Sequence, residues 1–146
     1  RHQVRFFRKL IQLRKSHPIF RRDDFFLFDT GPNDTACSLE IIWQGLQPGH
    51  QDWSHECRTL AFLLNGATLE LEDDDFFVML NGHATDAALF TVPPATRNRA
   101  WVRIIDTGRP PPLDFIDPKR GDAVRYGQTV SVTSMGCVVL QSQPTR

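Results

Sequence analysis

The sequence predicts a mainly β protein, an antiparallel β-sandwich preceded by one N-terminal amphipathic α-helix. Three observations predict this class. Helical periodicity is confined to the beginning of the chain, the rest consists of short apolar runs bounded by Gly, Pro, Asn or Asp, and no helical pattern separates those runs. With 146 residues and 40% hydrophobic content, the chain can bury one core.

The helical pattern extends from Val4 to Ser16, and its apolar residues cover about half of the helical cylinder. These residues form two flanks, Phe6, Leu10 and Leu13 on one side and Val4, Phe7 and Ile11 on the other. So wide an apolar arc predicts packing on both flanks. His17 precedes Pro18 and is therefore expected to end the helix. Arg14 lies inside the arc and needs a carboxylate, backbone carbonyls or a stem that reaches solvent.

After the helix, the period-two and short apolar runs predict eight strands. These are Phe25–Phe28, Ser38–Trp43, Arg58–Gly66, Asp75–Gly82, Ala88–Pro93, Ala100–Asp106, Thr129–Val132 and Gly136–Gln141. Between the sixth and seventh runs, Thr107–Gln128 contains four prolines and alternating charges. We predict one long surface loop there.

Charge, cysteine content and hydropathy indicate which partners and which cellular location the sequence favours. The first 22 residues carry eight basic residues and no acid, but the whole chain has 17 of each sign, so no overall field attracts a polyanion. We therefore expect no nucleic-acid partner. Cys37, Cys57 and Cys137 are an odd number in strand-like surroundings, which favours reduced, buried thiols and a cytoplasmic location. No apolar run approaches the roughly 18 residues of a membrane span, so no membrane partner is expected.

The sequence contains weak candidates for metal binding. The acidic run Glu72–Asp75 offers oxygen ligands for calcium, but a solvated turn before a buried strand explains it better, because no glycine-punctuated calcium loop is present. His50, His55 and Cys57 cluster without the paired spacing of a zinc site. Ser, His and Asp residues occur without a nucleophile elbow. We therefore predict no catalytic, metal-binding or cofactor-binding residue.

Several segments together resemble the C-terminal end of bacterial isoamylase-type glycogen debranching enzymes of the α-amylase superfamily. These segments are FFRKLIQLRKSHPIFRR, IIWQGLQPGHQDW, RTLAFLLNG, DDDFFVMLNGHATDAALFTVPP, WVRIIDT and GQTVSVTSMGCVVLQ. Their order and spacing match throughout the chain. One departure is visible, because the family usually has a longer tract with a Glu and a Met where this chain has LQPGHQ.

The resemblance implies that residues 1–20 are the last helix of a truncated (β/α)₈ barrel and that residues 21–146 are a C-terminal β-sandwich domain. Because the chain starts with Arg1 inside the helical pattern, we expect a fragment. The parent enzyme would hydrolyse α-1,6-glucosidic branch linkages with two carboxylates on its barrel strands. None of the 17 acids here matches a catalytic position, so the resemblance implies a non-catalytic domain whose partner is that barrel.

An alternative is a stand-alone carbohydrate-binding module for α-glucan. Its contacts would come from Trp43, Trp53, Asn81 and His83. Indole rings can stack on sugar rings, although a strand tryptophan such as Trp101 more often lies in the core. In the isolated fragment, one flank of the N-terminal helix should be exposed or covered by a second copy, and the second case would be a homodimer through that helix.

Overall fold

The computed structural model describes residues 1–26 and 39–145. It is mainly antiparallel β structure with one N-terminal helix, so the predicted fold class is confirmed. Helix α1 spans His2–Ser16. The strands are β1 Ile41–Gln44, β2 Thr59–Leu64, β3 Phe76–Asn81, β4 Ala88–Thr91, β5 Ala100–Asp106, β6 Ala123–Val124, β7 Thr129–Val132 and β8 Gly136–Gln143. Short 3₁₀ turns occupy Pro18–Phe20, Gly66–Thr68, Thr96–Asn98 and Pro118–Arg120.

Within the described residues, the strands form a six-stranded sheet in the order β1-β2-β3-β8-β5-β6 and a two-stranded sheet of β4 and β7. Every pairing is antiparallel. In β3, Phe77 and Met79 face the two-stranded sheet, whereas Phe76 and Val78 face the helix side. The larger sheet is therefore the middle layer of the fold, and both of its faces bury apolar side chains.

Helix α1 uses its two apolar flanks differently. Phe6, Leu10 and Leu13 pack against the larger sheet in a cluster that includes the buried Ile19. The other flank is open, with Val4 54%, Phe7 63% and Ile11 53% exposed. This confirms the expectation that one flank of the isolated chain is uncovered. Arg14 donates to the carbonyl of Phe20 at 2.8 Å, which meets the need for a carbonyl partner.

The predicted first strand and the predicted long loop need correction. Phe25 and Phe26 belong to no strand, and the rest of the predicted strand Phe25–Phe28 lies outside the described residues. The predicted surface loop Thr107–Gln128 contains β6, which pairs with β5, and it also buries Phe115 and Val124. The sequence pattern missed β6 because a two-residue strand shows no periodicity and the prolines near it indicate a loop.

Cys57 and Cys137 are free, as predicted, but half-buried rather than buried. Cys37 lies outside the described residues. Burial, with a smaller effect from the charge of Asp106, raises the pKa of the Cys137 thiol to about 11, so this thiol stays protonated at neutral pH. In the described part of the chain, none of the helices has the length and apolar character that crossing a membrane requires.

Candidate functional site

The acidic run before β3 has a structural role, because Asp75 within it connects two turns through hydrogen bonds. Asp75 is fully buried, and its carboxylate accepts hydrogen bonds from the Gly66 N–H at 3.0 Å and from both the N–H and the hydroxyl of Thr96 at 2.7 Å. Arg97 lies 3.4 Å from the same carboxylate. One side chain therefore joins two turns that are about thirty positions apart in sequence, which explains why an acid is needed at a buried position.

A second polar cluster joins the end of α1 to the sheet. His17 Nδ1 lies 2.6 Å from an Asp73 oxygen, and the Ile19 N–H donates to the other Asp73 oxygen at 3.1 Å. The Gln141 amide nitrogen reaches His17 Nε2 at 3.3 Å and Asp74 at 2.7 Å. A neutral imidazole that donates from Nδ1 and accepts at Nε2 satisfies this arrangement.

The carboxylate of Asp73 is held in its ionised form. Burial by itself would raise the pKa of Asp73, but hydrogen bonds from the His17 side chain and from the N–H groups of Ile19 and Asp74 bring the pKa below its usual range. Arg99 forms an ion pair with the neighbouring Asp74. The cluster therefore fixes the chain as it leaves the helix.

The same cluster is the only group of three possible metal ligands in residues 1–26 and 39–145, with ligand atoms of His17, Asp73 and Asp74 within 4.8 Å of one another. The hydrogen bonds described above already occupy both carboxylates, and a cation there would compete with the guanidinium of Arg99. The weak zinc candidate does not come together in the described chain, because His50, His55 and Cys57 bring no three ligand atoms close. The Cys57 thiol instead lies 3.2 Å from the carbonyl of Thr59.

The two tryptophans predicted to contact glucan lie side by side. Trp53 is 66% exposed, and its ring meets the half-buried Trp43 edge-on, with ring centroids 5.5 Å apart and an interplanar angle of 76°. The Trp43 ring packs in turn on Phe62, with ring centroids 5.6 Å apart. The backbone carbonyl of Trp43 accepts a hydrogen bond from the side-chain amide of Gln51 at 3.0 Å. One edge of the exposed indole is therefore supported by a packed ring on the sheet.

Asn81, also predicted to contact glucan, is only 3% exposed and orders the backbone around it. Its amide nitrogen donates to the carbonyls of Asp86 at 2.9 Å and of Val132 and Thr133 at 3.1 Å. Its oxygen accepts from the N–H of His83 at 3.0 Å. Asn81 thus fixes the loop that carries His83. The third tryptophan, Trp101, is a core residue whose indole N–H donates to the Pro93 carbonyl at 2.7 Å.

His83 is half-buried and lines an open cleft of about 380 Å³ together with residues from the loop before β2. Asp52 and Ser54, the two chain neighbours of Trp53, line this cleft, as do Glu56 and Arg58. Leu46 and Leu89, both exposed, line it as well, whereas Trp53 does not. The structure therefore brings Trp43 and Trp53 into ring contact and places His83 at a cleft that the two chain neighbours of Trp53 also line. Sequence reasoning missed Asp52, Glu56 and Arg58, since charged residues in a loop give no specific signal.

Comparison with known proteins finds a matching family and several relatives. Residues 42–138 match the family described as "Isoamylase 1-3, C-terminal". The chain is 28% identical over 123 residues to isoamylase 1, chloroplastic, of Oryza sativa subsp. japonica, which covers 78% of this chain and 15% of that protein. It is 30% identical over 118 residues to the glycogen operon protein GlgX homolog of Mycobacterium tuberculosis, a match that covers 72% of this chain and 16% of that protein. It is 30% identical over 116 residues to isoamylase 3, chloroplastic, of the same rice, a match that covers 77% of this chain and 12% of that protein.

The chain thus spans between 12% and 16% of the length of these relatives, while most of its own length is matched. The matched residues extend from β1 into β8 and so include the larger part of both sheets. The chain belongs to the family of isoamylase 1-3 C-terminal domains.

Proposed function

We propose that this chain is the non-catalytic C-terminal domain of a cytoplasmic glycogen debranching enzyme, whose complete form hydrolyses α-1,6-glucosidic branch linkages. Residues 1–20 would be the last helix of the catalytic (β/α)₈ barrel and residues 21–146 the β domain that follows it. Family membership and the small share of the relatives that the chain spans support this proposal. Free thiols at Cys57 and Cys137 support a reducing compartment.

The observation that carries the proposal is the uncovered flank of α1. Val4, Phe7 and Ile11 follow one another at helical spacing and are each more than half exposed. A continuous apolar stripe of this kind is costly in water and suits a protein partner. The occupant that we propose is the catalytic barrel of the parent chain, because the opposite flank of the same helix is already packed on the sheet.

The basic residues of α1 support a protein partner rather than a polyanion. Arg5 forms an ion pair with Asp114, and Lys9 donates to the carbonyl of Phe115 at 2.9 Å. Arg14 is engaged with a carbonyl as well. Three of the helix cations thus have partners inside the chain, and we propose no nucleic-acid or membrane contact for this helix.

Replacing Phe7 with glutamate tests the role of this flank. In the isolated chain the uncovered stripe should drive self-association, so we expect the mass from light scattering to rise with concentration for the wild-type chain. Phe7→Glu should remain a monomer over the same range, because a charge in the centre of the stripe would have to be buried without a partner.

Gln12→Glu is the matched control, since it adds the same charge at an exposed position of the same helix. It should associate like the wild type. A wild-type chain that stays monomeric at every concentration, or a Phe7→Glu variant that associates as strongly as the wild type, would contradict the proposed docking surface.

The second candidate is a stand-alone module that binds α-glucan. The exposed indole of Trp53 is the observation that favours it. A glucan site on this surface is compatible with either candidate.

A further inference from the structure

The larger sheet is apolar on both faces along β2 and β3. On the face toward the two-stranded sheet, Ala61, Phe77 and Met79 are fully buried. The opposite face of β1, β2 and β3 is equally apolar but only partly covered, and we call it the open face; its residues are Trp43, Leu60, Phe62, Val78 and Leu80. Antiparallel strands that leave one face in water usually alternate apolar and polar residues. The apolar runs of β2 and β3 therefore predict cover on both faces.

Helix α1 covers only the other half of this side of the sheet. Its Phe6 ring contacts Phe115, which forms an isolated β-bridge with Ile105 of β5. Near the end of the helix, His17 reaches Gln141 of β8 at 3.3 Å. The helix therefore lies over β5 and β8, and the strands on the opposite side of the sheet order extend beyond it.

One row of paired residues shows where the cover ends. Val139 of β8 pairs with Val78, and Val78 pairs with Phe62. Phe62 pairs in turn with Trp43. Val139 is 7% exposed, whereas the other three residues of the row are only half-buried. The apolar surface thus continues from under α1 onto the open face without interruption.

The open face has the width and the surroundings of a site for a helix. It borders an open groove of about 660 Å³, and Ile19 and Phe20 from the turn after α1 line the same groove. A six-stranded sheet is about 24 Å wide at a strand spacing of about 4.8 Å, whereas packed helices lie about 10 Å apart. There is therefore room for a second helix beside α1. The charged residues that line the groove are Arg22, Asp23 and Asp24. An apolar centre edged by charged groups is typical of a protein interface.

We propose that the open face binds the apolar flank of a second amphipathic helix, which lies beside α1 and belongs to the catalytic barrel of the parent chain. The choice of the barrel as the partner rests on the proposed function. The helices of a (β/α)₈ barrel form an outer ring, so the last helix has a neighbouring helix on each side. A helix over β2 and β3 would lie about two strand spacings, or about 10 Å, from α1 over β8 and β5, which is the usual distance between packed helices.

The test is labelling of introduced cysteines with iodoacetamide, located by mass spectrometry, in the isolated chain and in the complete debranching enzyme. Leu80 is 36% exposed in the isolated chain, so Leu80→Cys should react readily there. In the complete enzyme it should react at least about tenfold more slowly, because a thiol under a packed helix reacts only when the interface opens. Leu89→Cys is the matched control, since Leu89 is a 60% exposed leucine of β4 in the other sheet. It should react at the same rate in both proteins.

Ile11→Cys, on the uncovered flank of α1, separates this inference from the proposed function, which expects slow labelling there in the complete enzyme. Slow labelling of Ile11→Cys with fast labelling of Leu80→Cys would overturn the second helix and leave the proposed function standing. Fast labelling of both would overturn both. Slow labelling of Leu80→Cys alone would overturn the barrel as the partner. Slow labelling of Leu80→Cys in the monomeric isolated chain would overturn the inference as well, because the chain would then cover its own face.

A photoreactive benzophenone amino acid in place of Leu80 identifies the occupant in the complete enzyme. We expect cross-links to one outer helix of the barrel. Cross-links to a second copy of the chain, or only to segments outside the barrel, would overturn the assignment.

Discussion

Replacing Phe76 with alanine is expected to lower the free energy of unfolding by about 3–5 kcal/mol. The Phe76 ring is fully buried where the end of α1 meets the sheet. Its centroid lies 4.9 Å from that of His17 and 4.6 Å from that of Phe20. Truncation would leave a cavity and would also remove the apolar contact between the turn after α1 and strand β3. The measurement is urea unfolding followed by circular dichroism.

Leu71→Ala is the control for this prediction, because Leu71 is 80% exposed and its loss should change stability by less than about 0.5 kcal/mol. A Phe76→Ala variant as stable as Leu71→Ala would show that the helix does not depend on this contact. The account of how α1 is held on the sheet would then be wrong.

Replacing Asp75 with alanine should have an effect of similar size, about 3 kcal/mol or more. The substitution removes the acceptor of three short hydrogen bonds, two of them from backbone N–H groups, and leaves those donors at a buried position. It also takes away the carboxylate next to Arg97. Buried donors without partners cost more than the net value of the bonds that they formed.

Asp86→Ala is the comparison, since Asp86 is exposed and its carboxylate has only a 3.5 Å contact with the Thr85 hydroxyl. Thermal and urea unfolding of both variants should separate them clearly. If Asp75→Ala unfolds at the same urea concentration as Asp86→Ala, the carboxylate of Asp75 does not stabilise the fold. The structural role assigned to the acidic run would then be wrong.

Local patterns in the sequence predicted most of the fold. The strands β2, β3 and β8 were found because each is a run of apolar residues bounded by turn residues. The helix was predicted from the periodicity of its apolar residues, and its end at His17 was predicted from the proline that follows. Each of these features depends on neighbours within a few positions, so one sequence contains the information.

The hydrogen bonds between polar side chains of different elements could not be predicted, because the two residues of each bond are distant in sequence. His17 meets Asp73 across 56 positions, and Gln141 meets Asp74 across 67. For the same reason, sequence reasoning recognised Asp73 and Asp74 as acids in a turn but not as the residues that hold the end of the helix. The pairing of Trp43 with Trp53 was missed because it depends on the path of the loop between them.

The identity of a residue does not decide the direction in which it points. Asn81 was predicted as a glucan contact, and its amide turns inward to three backbone carbonyls. In antiparallel β3, Val78 and Asn81 are three positions apart and so lie on opposite faces of the sheet. Val78 pairs with Phe62, which pairs with Trp43, so Asn81 and Trp43 are also on opposite faces.

The central claim is that this chain folds as a domain that does not itself cleave glycosidic bonds. It is tested most directly by incubating the purified, folded chain with glycogen and measuring new reducing ends, with a complete debranching enzyme as the positive control. We predict that the chain releases no reducing ends above the blank at any concentration of the chain. Release that increases in proportion to the amount of chain, and that remains after repeated purification, would contradict the account.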